Sequence, residues 1–277
     1  MDRDRHRKEK QKRSRSRRWF LAVIFLTAVL WQWESPLAVT AKEPDLPPHL
    51  IQSVTEQDIF EGMLALDMLQ NDTLEETDWE QAYELVKDCV VRVEMGNAYG
   101  SGIVYRITPQ QIIIATNAHV LDYWKDESSF VYFPEGYYAS AMKLGCSARY
   151  DVGFLAIDND YFTYEELETM CYAAVDETIY DALQEGDSLF SVGADKELSD
   201  LVSYEGTLVD TSRYIEEFDS NMLYACGFAK EGMSGGGTFD GKGHLIGMIS
   251  GGTGQGETAS VPLPDMIEAY KEVVGDE

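Results

Sequence analysis

From Cys89 onward the chain is a succession of short runs rich in β-branched and aromatic residues, and this pattern limits the fold more than any other feature. The runs are CVVRVEM, GSGIVYRI, QIIIAT, FVYF, ASAMKL and VGFLAI, then a second set, DSLFSVG, LVSYEGTLV, NMLYACGF, GTFD and HLIGMIS. Turn-forming residues separate most of them, among them Asn97, Pro109, Pro134-Glu135-Gly136, Glu185-Gly186 and Asp240-Gly241-Lys242-Gly243. Strands this short bury a face only by packing sheet on sheet or by closing on themselves, so the pattern predicts an all-β sandwich or barrel. Two sets of runs predict two barrels, the first over about residues 86–160 and the second over about 183–263. Between them YFTYEELETMCYAAV reads as a crossover carrying a helix. The stretch LPDMIEAYKEVV reads as a closing helix over 264–274. Upstream, residues 42–85 read as a linker and N-terminal helices. Pro44, Pro47 and Pro48 mark the linker, Ile59, Met63, Leu66 and Leu69 fall at helical spacing, and Asp78 is placed to cap a short helix, DWEQAYELV.

Residues 1–18 are a polar basic tail, and residues 19–31, WFLAVIFLTAVLW, carry no charge. A basic segment followed by a short apolar one is a targeting pattern rather than part of the fold. Positive charge stays in the cytoplasm, so the body is expected outside it. Two forms of the 19–41 segment stay open. A cleaved signal peptide fits the small residues Val39-Thr40-Ala41, the helix-breaking Pro36, and an apolar run of 13 residues, short of the ~20 that span a bilayer. A retained signal anchor fits the long basic tail and the interfacial Trp19, Trp31 and Trp33, and would make the membrane a partner. The first 41 residues hold 10 Lys/Arg against 4 Asp/Glu, which leaves 12 against 45 for the rest. A body this acidic excludes nucleic acid as a partner, since its binders present basic faces.

No metal or other cofactor is called for. Cys89, Cys146, Cys171 and Cys226 form no CxxC pair, and no His lies at zinc-ligand spacing. Disulfides and free buried thiols are both open for these four residues. Of the four histidines, His6 lies in the basic tail, His49 in the Pro-rich linker and His244 beside a glycine turn. Only His119 stands where an apolar strand ends, in IIIATNAHVL. Ser234 lies in Glu231-Gly232-Met233-Ser234-Gly235-Gly236-Gly237. Acyl transfer needs a hydroxyl on a tight turn with backbone N–H groups aimed at the developing oxyanion, and flanking glycines permit both. Asp151 directly precedes the apolar run VGFLAI, where a carboxylate at a strand mouth can orient an imidazole.

Gly100-Ser101-Gly102-Ile103-Val104, Ala115-Thr116-Asn117-Ala118-His119-Val120, Asp151-Val152-Gly153-Phe154-Leu155 and Gly232-Met233-Ser234-Gly235-Gly236 together resemble the trypsin-like, chymotrypsin-fold serine proteases, closest to the HtrA/Deg branch. The segments 185–193 and 243–252 match that branch too, and the order His, Asp, Ser with separations of 32 and 83 residues fits. The resemblance implies two six-stranded antiparallel β-barrels and a serine endopeptidase acting on polypeptides. Ser234 would be the nucleophile, His119 the general base and acid, and Asp151 the residue that orients the imidazole. The N–H groups of Gly232 and Ser234 would form the oxyanion hole. Ser250, Gly251 and Gly252 would pair with the substrate as a strand, and Phe228 would lie near the base of the primary specificity pocket.

The sequence also departs from that pattern. Met233 stands where digestive members carry an Asp that pairs with a new N-terminal ammonium, so that route of activation is not expected. Only 14 residues follow Pro262-Leu263, so no PDZ domain is expected. Met233 and Gly237 could misplace the oxyanion donors, which leaves an alternative: an inactive protease-fold protein that binds peptides or envelope proteins.

Overall fold

In the computed structural model, residues 54–195, 201–253 and 255–275 are described. The basic tail, the 19–41 segment and most of the linker lie outside them. Two short helices come first, α1 (Glu56–Ala65) and α2 (Trp79–Val86). A capping box between Thr55 and Asp58 starts α1. The Asp78 side chain starts α2, as expected, by accepting from the Gln81 N–H at 3.1 Å.

The first set of runs forms β1 (Val90–Met95), β2 (Ala98–Ile107), β3 (Gln111–Thr116), β4 (Ser129–Tyr132), β5 (Tyr138–Ala139), β6 (Met142–Cys146) and β7 (Gly153–Asp158). They pair antiparallel in the order β5-β4-β1-β2-β3-β7-β6. The β1–β2 hairpin turns in two residues, with Met95 opposite Ala98. Gly96 has φ +65 and Asn97 does not share the positive sign, which is the type II′ turn whose twist suits a tight hairpin.

The second set forms β9 (Ser188–Ala194), β10 (Leu201–Ile215), β11 (Ser220–Cys226), β12 (Gly237–Asp240), β13 (His244–Thr253) and β14 (Glu257–Pro262). They run β12-β9-β10-β11-β14-β13, and β12 pairs again with β13, which closes a six-stranded barrel. Phe190 and Phe239 stack inside it at 5.6 Å between ring centroids. The all-β, chymotrypsin-like architecture expected from the sequence is thus present, as a closed barrel and a half-barrel: no pairing joins β5 to β6.

The crossover differs from expectation. Its helix α3 is one turn, Tyr164–Leu167, followed by β8 (Ala174–Val175), which adds parallel to β13, and by α4 (Glu177–Asp181). Neighbouring chain takes the backbone donors that would continue a helix. Tyr172 N–H donates to Leu69 O at 3.0 Å and Ala173 N–H to Val104 O at 2.9 Å. The closing helix α5 (Leu263–Val273) lays Tyr270 edge-on to Phe154, with ring centroids 5.5 Å apart. Its Glu272 accepts from the Ser147 hydroxyl at 2.5 Å, and its Glu268 pairs with Arg149. These bonds brace the loop that leads into Asp151. Among the described residues none of the four cysteines forms a disulfide. Among the described residues no helix is long and apolar enough to cross a membrane.

Candidate active site

Strand register brings together two residues far apart in sequence. β3 and β7 run antiparallel, and Thr116 opposite Gly153 is the last pair at one end of their ladder. His119 follows Thr116 by three residues and Asp151 precedes Gly153 by two, so both leave the sheet at that end. Asp151 then holds the histidine twice. Its Oδ1 accepts from the His119 backbone N–H at 3.0 Å, and its Oδ2 lies 2.8 Å from Nδ1. A carboxylate only accepts, so neutral His119 keeps its proton on Nδ1 and presents Nε2 as a base. The hydrogen bond to Asp151 raises the imidazole pKa above its ordinary value. The charges of Asp151 and Asp122 add to that rise, and partial burial opposes it.

Ser234 lies between the end of β11 and the start of β12. Before it, residues 230–233 form a turn closed by Met233 N–H to Lys230 O at 3.0 Å. Gly232 has φ +100 while Glu231 stays negative, the type II pattern that requires glycine at its third position. After Ser234 comes Gly235 at φ +88, where a Cβ would lie 2.1 Å from the Ser101 carbonyl oxygen. Among the described residues, neither the Gly232 N–H nor the Ser234 N–H is used in a hydrogen bond, so both are free to serve as oxyanion donors. Gly237 is the first residue of β12, and its missing Cβ makes room for the Phe239 ring, 2.3 Å from where that atom would be.

The Ser234 hydroxyl donates to the Ser250 carbonyl at 3.3 Å. No hydrogen bond joins it to His119 among the described residues. Ser250 is the extra residue of a bulge in the β13–β14 pairing, between Ile249 opposite Ser260 and Gly251 opposite Ala259. From Ser250 to Thr253 the edge of β13 away from β14 carries no strand partner among the described residues.

The trypsin-like peptidase domain matches residues 100–248, more than half of the 277-residue chain. The chain belongs to that family. Among solved structures, HtrA-type protease AlgW with a tripeptide superposes with a TM-score of 0.61 at 18% identity, over 71% of this chain and 64% of that one. A serine-to-alanine form of the same protease with a tripeptide gives 0.62 at 17%, over 71% and 64%. The serine endoprotease from Yersinia pestis gives 0.59 at 20%, over 73% and 69%. The chain thus spans somewhat under two thirds of the AlgW structures, and at these identities the likeness is one of fold. No curated protein matches the sequence.

In this trypsin-like peptidase domain two buried residues tie the site together that sequence reading passed over. The Asn117 amide donates both to the Asp151 carbonyl and to the Ser250 hydroxyl, each at 2.9 Å. It links the Asp151 loop to β13, whose Ser250 carbonyl accepts from the Ser234 hydroxyl. Ser101 reaches from β2 to the Ser234 loop, donating its N–H to Ser234 O at 2.8 Å and its hydroxyl to Gly232 O at 2.7 Å. Phe228 is 55% exposed and meets Tyr204 edge-on, so its ring is open to solvent. Gly251 and Gly252 lie near the end of β13. A Cβ on the first would lie 3.0 Å from the Phe218 ring and one on the second 2.9 Å from Glu257 O.

Proposed function

We propose that this chain is a serine endopeptidase that cleaves polypeptides outside the cytoplasm, with His119, Asp151 and Ser234 as its triad. The observation that carries the reading is the two-point grip of Asp151 on His119, which fixes the base's tautomer and orientation. In the reaction, Nε2 of His119 removes the Ser234 proton as Oγ attacks the scissile carbonyl, and the oxyanion that forms accepts from the Gly232 and Ser234 N–H groups. The imidazolium then donates its proton to the leaving amine, an acyl-enzyme remains on Ser234, and water repeats the sequence to release it. A peptide would pair with the free edge of β13 at Ser250, Gly251 and Gly252. The peptides present in the AlgW structures support a polypeptide substrate. The basic-then-apolar N-terminus supports action outside the cytoplasm, either anchored or released near Ala41.

A second reading, an inactive fold that binds peptides, is favoured by one observation: the Ser234 hydroxyl is directed at Ser250 O. Contacts of this kind often tighten only when substrate arrives, so the active reading stands first. A fluorophosphonate probe separates the two. Expected is labelling of the wild-type chain that vanishes in Ser234→Ala and falls in His119→Ala, with turnover reduced on the order of 10⁴-fold or more. Well-folded wild-type protein that takes no label would establish the binding reading instead.

A further inference from the structure

An oxyanion site works only if its two N–H groups stay aimed at one point, and in this chain no ion pair of Met233 can hold them. The Met233 side chain is apolar and fully buried. Ser101, on the half-barrel, takes over that task with every polar group it has. Its N–H donates to Ser234 O at 2.8 Å. Its hydroxyl donates to Gly232 O at 2.7 Å and accepts from the Ala194 N–H at 2.7 Å. Its carbonyl accepts from the Thr116 hydroxyl at 2.7 Å and lies so close to Gly235 that a Cβ there would approach to 2.1 Å. The residue is wholly buried, so water cannot replace these bonds.

We infer that Ser101 is the positioning residue of the oxyanion turn, holding the Gly232 and Ser234 peptides on either side of Met233 in the arrangement that exposes their N–H groups. The inference rests on the triad reading of the preceding subsection. Its polarity follows from the partners. Gly232 O can only accept and Ala194 N–H can only donate, so the bridging group must do both, and a hydroxyl does. Once the plane of the Gly232–Met233 peptide is pinned, the plane carrying the Gly232 N–H differs from it only by the dihedrals of Gly232. A glycine left unpinned has little resistance to rotating there. Removing the hydroxyl leaves two buried backbone groups without partners and frees that rotation.

The test compares wild type, Ser234→Ala and Ser101→Ala in the full chain, by fluorophosphonate labelling rate, by peptide hydrolysis across pH, and by thermal melting. Expected for folded Ser101→Ala is a fall in kcat of about 10- to 100-fold, somewhat less than the 10²–10³ seen when an oxyanion donor is deleted outright. KM should stay within about three-fold and the acid limb of the pH profile should not move, because the His119–Asp151 pair is untouched. Binding of a peptide boronate, whose adduct occupies the same oxyanion site, should weaken in step with kcat. Labelling and kcat within three-fold of wild type would overturn the inference, and so would a loss accompanied by a shifted acid limb, which places the defect at His119. Wild-type protein that takes no label, or label that survives Ser234→Ala, would end the triad reading and this inference with it. If Ser101→Ala does not fold, Thr116→Val loosens the same residue through its carbonyl. About a three- to ten-fold loss in kcat supports the role, and no loss overturns it.

Discussion

At the scale of single residues, the proposed triad makes the protonation of His119 decide the working pH. The base must be neutral, and its pKa is raised by the Asp151 hydrogen bond first, then by the charges of Asp151 and Asp122. A raised pKa keeps the imidazole protonated to higher pH, so the acid limb of kcat/KM should lie above the ordinary imidazole value of about 6.5. Asp122 acts only through its charge, from an exposed position in the 3₁₀ turn Val120–Tyr123. Asp122→Asn should therefore move the acid limb to lower pH, and only slightly, because solvent screens exposed charges. The plateau rate should not change. A profile that stays in place, or moves to higher pH, would contradict the assignment of the limb to His119. The meeting of His119 with Asp151 was legible in the sequence because one follows an apolar run and the other precedes one. The roles of Asn117 and Ser101 were not, since the burial that makes a short polar side chain into a strut comes only from the packing of the barrel and the half-barrel. The exposure of the Phe228 ring was not legible either, because sequence does not reveal which way a loop ring faces.

At the scale of elements, close backbone approaches rather than propensities fix the Ser234 loop. Gly235 combines φ +88 with a neighbouring carbonyl that would lie 2.1 Å from any Cβ. Backbone cannot swing aside as a flexible side chain can. Gly136 has φ +103 but open space around it. The pair separates steric from conformational cost. Gly136→Ala should destabilise by about 1 kcal/mol, the cost of forcing a Cβ into positive φ, and leave labelling at Ser234 intact. Gly235→Ala should lower the melting temperature by several degrees more and abolish labelling. Equal effects of the two substitutions in melting and labelling experiments would mean that the approach to Ser101 O is relaxed away. The same distinction explains what was legible at this scale. QIIIAT is a continuous apolar run buried from Ile112 to Thr116, and it forms β3 with the bounds read from sequence. β14 was not read, because ETASVP offers little apolar signal and owes its place to partners on both sides, β11 and β13. The crossover helix was overestimated because its backbone donors are claimed by Leu69 and Val104, far away in sequence.

At the scale of the whole molecule, charge is the dominant unbalanced quantity. From residue 42 onward 45 acidic side chains face 12 basic ones, and the whole chain carries −27 at pH 7. Two effects of salt then compete. Screening weakens the attractive pairs, such as Arg149 with Glu268, Lys87 with Glu84 and Lys230 with Asp195. Each has at least one partner that is half exposed or nearly so, and such pairs contribute about 0–1 kcal/mol apiece. Screening also weakens the mutual repulsion of the excess carboxylates, which compaction brings within reach of one another and unfolding relieves. The screening length falls from roughly 30 Å at 0.01 M salt to about 10 Å at 0.1 M. Most of the repulsion acts across longer distances than the contact pairs do, so it is screened away first. The melting temperature of the full chain at pH 7 should therefore rise by several degrees between 10 mM and 300 mM sodium chloride, with most of the gain below about 100 mM. A melting temperature that falls over that range would mean that the few pairs outweigh the many unpaired carboxylates.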